Sequence, residues 1–457
     1  MSLDLRGKRV LVVGLGKSGL AAAHFLKARG ARVTVSDARP ATLIAELSGL
    51  LEEGFMVEAG SHGLLTFRRQ DLIVVSPGVP LSTPVLTQVR AMGAHIIGEL
   101  ELGSQFLQGE VIAVTGSNGK TTTTTLIGEI LKASGRPTLV GGNIGRPVTA
   151  MVDESMTESW SVVEVSSFQL ETVETFKPRI AMVLNITPDH LDRHGSFATY
   201  AALKARITAF QTAEDFLILN GEDKDTQLVA AKTVPEGRGA QIYWFSTRRP
   251  IKQGAFVYGD SIFFVPREGA KPEPVMPVAE IPLAGAHNVE NVLAAVCAAR
   301  LAGVASETIR SAVAAFKAVE HRLEFVRELG GVKYYNDSKA TNVDATMKAV
   351  EAFAGGIHLI LGGKDKGSDY RVLEPLLRER VKTVITIGSA AEKIAHQLEG
   401  VVKIEGAETL ERAVAFAHGA AVAGDTVLLA PACASFDQFE NYEQRGRVFK
   451  ELVAALP

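Results

Sequence analysis

Residues 9–19 read RVLVVGLGKSG, and this stretch decides the fold class. The apolar run 10–13 is continuous rather than alternating, so the strand it predicts is covered on both faces, as in a parallel sheet flanked by helices. Gly14, Gly16 and Gly19 then permit a tight turn, and the helix that follows offers free amides and a dipole to a phosphate. Similar apolar runs recur at 32–36, 71–76, 111–115, 161–165, 181–185, 216–220, 358–361, 383–387 and 426–430. Segments of helical period separate them. The chain is therefore α/β with mostly parallel sheets.

The pattern restarts twice. At roughly 150 residues per domain, the 457 residues suggest three domains. We place a Rossmann-like domain at 1–98, a P-loop ATPase-like domain at 99–318 and a second Rossmann-like domain at 319–457. The short junctions near 98 and 318 are the expected hinges. Gly330-Gly331 and Gly259-Asp260, each between apolar runs, predict antiparallel hairpins in the third and second domains.

Hydrophobic residues make up 46% and charged residues 22% of the chain, a globular profile. With 48 basic and 51 acidic side chains the net charge is −3, so no global field draws nucleic acid or a membrane surface. An anionic ligand must be held by a local site. Cys297 and Cys433 cannot build a disulfide framework, which fits a reduced cytoplasmic chain. The four apolar residues 10–13 are too few for a signal peptide or a membrane span, so no membrane insertion is expected.

Asp37 ends the second strand, where a carboxylate commonly reads a ribose hydroxyl. On the first loop alone, a nicotinamide dehydrogenase is the default. A second loop changes that reading. Thr115-Gly116-Ser117-Asn118-Gly119-Lys120-Thr121-Thr122 lies between a strand and a helical segment. Val114 stands where a strict P-loop has its first glycine, but the amides, the lysine and the hydroxyl for Mg²⁺ remain. Two phosphate loops in separate domains imply two different nucleotides, one of them ATP. Glu164 sits in the apolar strand 161–165, where a carboxylate must be ion-paired or face a metal. His190 and His194 follow Pro188 at helical i, i+4 spacing; without a glutamate after the first histidine, spacing reads them as polar surface. Lys204 reads as a solvated helical lysine.

The motifs nevertheless match a family across essentially the whole chain. They are the Gly14–Gly19 loop, Ser76-Pro77-Gly78, the loop at 115–122, Gly141-Gly142-Asn143-Ile144-Gly145, and the runs at 164–171 and 185–193. Gly285-Ala286-His287-Asn288, His321-Arg322, the run at 336–342 and the run at 431–439 complete the set. In them the chain resembles the Mur ligases, ATP-dependent amino-acid-adding enzymes of peptidoglycan synthesis. The first loop and the last two motifs resemble the D-glutamate-adding branch.

The resemblance implies that the first domain holds the uridine diphosphate of UDP-N-acetylmuramoyl-L-alanine, through Lys17, Ser18, Asp37, Arg39 and Gly78, with Asn143 and His190 nearer the muramoyl end. It assigns Gly116, Ser117, Asn118, Gly119, Lys120, Thr121 and Thr122 to the ATP phosphates, with Asn288, Asn291, Arg322 and Asp337 completing that site. Magnesium falls to Thr121 and Glu164, and to His190 with Lys204 once that lysine is carbamylated. Lys120, Glu164, His190, Lys204 and Lys339 become the catalytic group. D-Glutamate falls to Thr341, Lys366, Ser435 and Phe436, although Lys364 in the same loop is a second lysine that could bind carboxylate and reads more readily as solvated, and Tyr442 is either aromatic wall or core. The implied reaction activates the acid as an acyl phosphate that an amine then captures, in a monomer. Its rivals are a related ligase for another amino acid such as L-glutamate, a Rossmann dehydrogenase, and a nucleotide sensor without turnover.

Overall fold

Val10, Leu11, Val12 and Val13 are all fully buried. Val10 and Val12 join one apolar cluster and Leu11 and Val13 another, so β1 (Arg9–Val13) is covered on both faces. The computed structural model describes residues 3–233, 239–283, 285–317 and 320–457. In the first domain β1 is joined by β2 (Arg32–Asp37), β3 (Met56–Ala59), β4 (Leu72–Val75) and β5 (Ile96–Gly98). The order is β3-β2-β1-β4-β5, with every pairing parallel. Winding reverses between β1 and β4, which opens a crevice at their carboxyl ends. The two loops meet there, Ser76 Oγ donating to the Gly14 carbonyl at 2.7 Å. A Cβ on Gly19 would lie 1.8 Å from that same carbonyl oxygen, so only glycine lets the helix start so close.

The second sheet holds β6 (Glu110–Thr115), β7 (Thr138–Gly142), β8 (Trp160–Glu164), β9 (Ile180–Val183), β10 (Phe216–Asn220), β11 (Gln241–Ser246), β12 (Gly254–Tyr258), β13 (Ser261–Val265) and β14 (Glu273–Pro277). Their order is β14-β13-β12-β11-β10-β9-β6-β8-β7. Only the β12-β13-β14 edge is antiparallel, and the Gly259-Asp260 turn makes its first hairpin. Helices Lys120–Ala133 and Ala286–Leu301 bury Leu126, Ile130, Val292 and Val296 on one face of the sheet. Cys297 is part of that core.

The third sheet holds β15 (Glu324–Leu329), β16 (Val332–Asn336), β17 (Ile357–Gly362), β18 (Val381–Ile387), β19 (Lys403–Glu408) and β20 (Thr426–Leu429). The order is β15-β16-β20-β17-β18-β19, with β15 antiparallel to β16 across Gly330-Gly331. Since β16, β20 and β17 run parallel as neighbours, the loops that follow them share one edge. That edge carries Asp337 to Asn342, Lys366 and Ser435.

The junction at 98 is no loose hinge. It runs directly into helix Glu99–Ser104, whose Glu99 and Glu101 are buried. Glu99 accepts from Thr149 N and Oγ1, both at 2.7 Å, and Glu101 accepts from the amides of Glu174, Thr175 and Phe176. The expected junction at 318 lies outside the described residues. No helix among the described residues is long and apolar enough to cross a membrane.

Candidate active site

The second phosphate loop leaves β6 where its neighbours diverge to β8 and β9. Gly119 enters the helix at φ 85°, and a Cβ there would lie 2.2 Å from Asn291 Oδ1. Lys120 Nζ folds back on the Gly116 and Ser117 carbonyls at 2.8 and 2.9 Å. Burial pushes its amine below the ordinary lysine range. Thr121 Oγ1 donates to Glu164 Oε2 at 2.7 Å, and Asn143 Nδ2 donates to Glu164 Oε1 at 2.8 Å. Burial by itself would raise the Glu164 carboxyl, but Lys339 and Lys120, with these hydrogen bonds, hold it below the usual carboxylate range. Lys339 Nζ comes from the third domain and lies 2.5 Å from Thr121 Oγ1. Burial brings the Lys339 ammonium down to about 7.

A cavity of about 170 Å³ opens over this cluster. Ser117 to Thr122, Asn143, Glu164, His190, Asn288, Asn291, Arg322, Asp337, Lys339 and Thr341 all line it. Asn291 Nδ2 donates to Asn288 Oδ1 at 3.0 Å. Burial pushes the Asp337 carboxyl up to about 7, against the pull of Arg322.

A second cavity, about 730 Å³, adjoins the first and contains the first-domain loops. Lys17, Ser18, Asp37, Arg39, Gly78 and Asn143 line it together, whereas His190 faces the first cavity. Thr121, Asn143, Lys339 and Tyr442 border both spaces. Tyr442 is therefore a wall and not core. Asp37 is fully engaged: Leu15 N donates to it at 2.7 Å and Arg39 forks onto it at 2.9 and 3.0 Å. Burial opposes ionisation there, but Arg39 and the amides bring the carboxyl down to about 2. Its oxygens orient Arg39 and are not open to a ribose hydroxyl.

Two readings made from spacing are corrected. Lys204 is 1% exposed, not solvated: its Nζ donates to the Gly116 carbonyl at 2.8 Å and lies over the Tyr200 ring. Burial and neighbouring Lys120 push its amine well below the ordinary range. His190 and His194 do not share a helical face. His190 takes the left-handed conformation at φ 52° before the short helix Leu191–His194. Both rings meet Phe168, but His194 turns inward to Ser167 Oγ at 3.0 Å. Burial brings the His190 ring to about 4, so it is neutral near pH 7. No hydrogen bond or ion pair joins His190 to Lys204 among the described residues.

Several site groups escaped sequence reasoning. Asp189 accepts from Lys366 Nζ and from Asn342 Nδ2, both at 3.1 Å, which fastens two third-domain loops to the central domain. Burial would raise its carboxyl, yet Lys366, His190 and Asn342 hold it at about 2. Asn118 Nδ2 donates to Asp344 Oδ2 at 2.5 Å. His287 also lines the first cavity, its ring lowered to about 4 by burial. Arg445 is fully buried and donates to Ser338 Oγ, Ser338 O and Cys433 O. The adjacency of Asp189 to His190 in one motif was the available signal; for Arg445 there was none.

Among the amino-acid candidates, Thr341 lines the first cavity and Lys366 reaches it through Asp189. Lys364 is exposed; its backbone pairs with Ala434, which brings the 363–367 loop beside buried Ser435. Phe436 is 67% exposed and lines neither cavity, because the chain turns outward after that pairing.

The donors suit the implied ion. The Thr121 hydroxyl and Glu164 carboxylate are hard oxygen ligands, and a lysine ammonium already stands at that point. The neutral His190 ring offers a nitrogen. Lys204 would qualify only as a carbamate, and CO₂ adds to the neutral amine that burial favours.

Residues 8–98 match the family described as Mur ligase MurD-like, N-terminal domain; residues 114–299 match the Mur ligase middle domain, and 321–433 the Mur ligase, glutamate ligase domain. The UDP-N-acetylmuramoylalanine–D-glutamate ligase of Acidobacterium capsulatum is 64% identical over 454 residues, covering 99% of this chain and 97% of that one. The ligase of the same name from Koribacter versatilis is 59% identical, with 99% and 98% covered. Among solved structures, the UDP-N-acetylmuramate-alanine ligase of Thermotoga maritima superposes with a TM-score of 0.62 at 18% identity, covering 98% and 99%. That likeness speaks for the three-domain fold.

Proposed function

The chain belongs to the Mur ligase family, and on that premise we propose that it joins D-glutamate to UDP-N-acetylmuramoyl-L-alanine at the expense of ATP, in the cytoplasmic stage of peptidoglycan synthesis. The observation that carries the reading is the meeting of two cavities at Thr121, Asn143 and Lys339. An acid held by the first-domain loop can thereby present its carboxylate to a nucleotide held by the second. The dehydrogenase reading is disfavoured, because the relatives 64% and 59% identical over 99% of the chain are ligases by name.

Joining a carboxylate to an amine in water is uphill, and carboxylate oxygen is a poor leaving group. Transfer of the ATP γ-phosphoryl to the acid makes an acyl phosphate, whose phosphate can leave after amine attack. In this reading Lys120 releases its loop carbonyls to hold the transferring phosphoryl, while Lys339 neutralises charge on the acid. Thr121 and Glu164 would hold one Mg²⁺, and His190 with carbamylated Lys204 a second; a bound divalent ion supplies charge neutralisation at the phosphoryl oxygens. Thr341, Lys366 and Ser435 would receive the amino acid's carboxylates, with Tyr442 as its aromatic wall. The third domain covers the junction and excludes water from the acyl phosphate.

Phosphate release with Mg-ATP and UDP-N-acetylmuramoyl-L-alanine, compared across D-glutamate, L-glutamate and meso-diaminopimelate, tests the proposal. Turnover with D-glutamate alone is expected; turnover only with another amino acid, or none, overturns it. For Lys204, ¹³C-bicarbonate NMR should give a carbamate resonance that Lys204→Arg lacks.

A further inference from the structure

The 730 Å³ cavity has a wall that the reaction above leaves unused. It is formed by His321 and by the part of helix Tyr442–Ala454 beyond Tyr442 that presents Glu443 and Arg447. Most charges around the cavity are matched. Arg39 is forked onto Asp37, Lys339 faces the Glu164 carboxylate, and Glu320 is paired with Lys450. Three charges make no ion pair among the described residues: Lys17 on the first-domain loop and, across from it, Glu443 and Arg447 one helical turn apart, with Arg447 also acting on the Glu320 carboxyl. The first domain and the last helix thus each offer a cation to the same space.

His321 adds an independent observation. It is 3% exposed, and its Nδ1 lies 2.9 Å from Asn336 Nδ2. Asn336 Oδ1 accepts from Ser338 N at 3.1 Å, which fixes the amide's orientation and makes His321 Nδ1 the acceptor. The proton of the neutral ring then sits on Nε2. Nε2 has no hydrogen-bond partner, Glu320 Oε1 standing off at 3.8 Å. The ring packs directly on the helix: a Cβ on Gly446 would lie 2.2 Å from Nδ1, and Arg447 is the next residue. A buried N–H lacking an acceptor and a guanidinium without an ion pair each gain most from a charged acceptor such as an anionic oxygen.

We propose that Arg447 is the third domain's contact for the diphosphate of the uridylyl substrate. The inference rests on the reading of this cavity as the UDP-substrate site. A substrate reaching from the Gly14–Gly19 loop to Thr121 and Lys339 passes this wall with its diphosphate between the two ends. Lys17 and the loop amides hold the diphosphate from one side and Arg447 from the other. Arg447's planar fork suits two phosphate oxygens better than a point charge would. Because the two cations belong to different domains, substrate binding also favours the arrangement in which the last helix faces the first domain.

Calorimetric titration of the full-length protein with UDP-N-acetylmuramoyl-L-alanine and with uridine, for wild type, Arg447→Ala and Arg447→Lys, tests this. Arg447→Ala should weaken the UDP substrate about tenfold, the loss of one charge-assisted phosphate contact. Arg447→Lys should recover part of that, uridine affinity should not change, and the salt dependence of the substrate's Kd should become shallower. KM for ATP should hold. Unchanged substrate affinity in Arg447→Ala, or an equal loss for uridine, overturns the proposal. Failure of the wild type to bind the UDP substrate would instead overturn the substrate reading, and this inference with it.

Discussion

Lys120 is tied to two carbonyls of its own loop, and burial pushes its amine below the ordinary lysine range. A phosphoryl oxygen is a stronger acceptor than either carbonyl, so nucleotide binding redirects the side chain. Lys120→Ala should lower phosphate release roughly 100- to 1000-fold, the loss of one preorganised charge-stabilising group. UDP-substrate affinity, measured by calorimetry, should hold, since Lys120 does not line the first-domain cavity. Loss of both together would argue against separate nucleotide sites. Asp37 makes a pH prediction. Its carboxyl falls from 3.8 to about 2 on folding, so its contribution to stability is present above the higher value and fades as pH drops from one to the other. The stability gap between wild type and Asp37→Asn, read by urea denaturation, should therefore narrow across that acid window and stay constant above it. These residues were legible because their meaning is local: glycine loop, lysine and strand-end acid lie within a few positions of each other. Lys204 was not, because its partner Gly116 lies 88 positions away, and nothing nearby distinguishes a buried lysine from a solvated one.

At the scale of elements, the strands read correctly are those buried on both faces, such as β1 and β10. Their continuous apolar runs need no knowledge of the partner strand. Edge strands such as β3 and β19 are half wet and carry polar residues, so periodicity did not find them. Helix Val343–Glu351 shows how one residue can serve an element and the site. Asn342 Oδ1 caps it by accepting from Ala345 N at 2.8 Å, while Nδ2 reaches Asp189 in the central domain. Asn342→Ala should cost about 1 kcal/mol of stability through the lost cap. Asn342→Asp keeps a capping oxygen and places a negative charge at the helix N-terminus, but it sets carboxylate against carboxylate at Asp189. Its thermal midpoint should stay above that of the alanine variant while turnover falls further. A parallel fall in both readouts would mean the cap alone matters.

For the whole molecule, the two inter-domain attachments differ in kind. The first domain runs straight into helix Glu99–Ser104, whose Leu102 packs in the first-domain core while its buried Glu99 and Glu101 take backbone amides elsewhere in the central domain. The third domain meets the central one through side-chain pairs around the site: Lys366 and Asn342 on Asp189, Lys339 on Thr121, and Asp344 on Asn118. Those pairs involve the same groups that would bind phosphate and carboxylate, so ligands and domain contacts compete for them and one set can replace the other. On the proposed reading, the third domain is the one whose position ligands would shift. Asp189→Asn removes the counter-ion of Lys366 and weakens this attachment without touching the Glu99 and Glu101 anchor. Small-angle scattering should give a larger radius of gyration for unliganded Asp189→Asn than for the wild type. Saturating UDP substrate with a non-hydrolysable ATP analogue should narrow the difference, because bound anions restore a counter-charge for Lys366. Equal radii without ligand would show that the third domain is held by something other than these pairs. A difference that ligand leaves untouched would show that the pairs and the ligands do not share their groups.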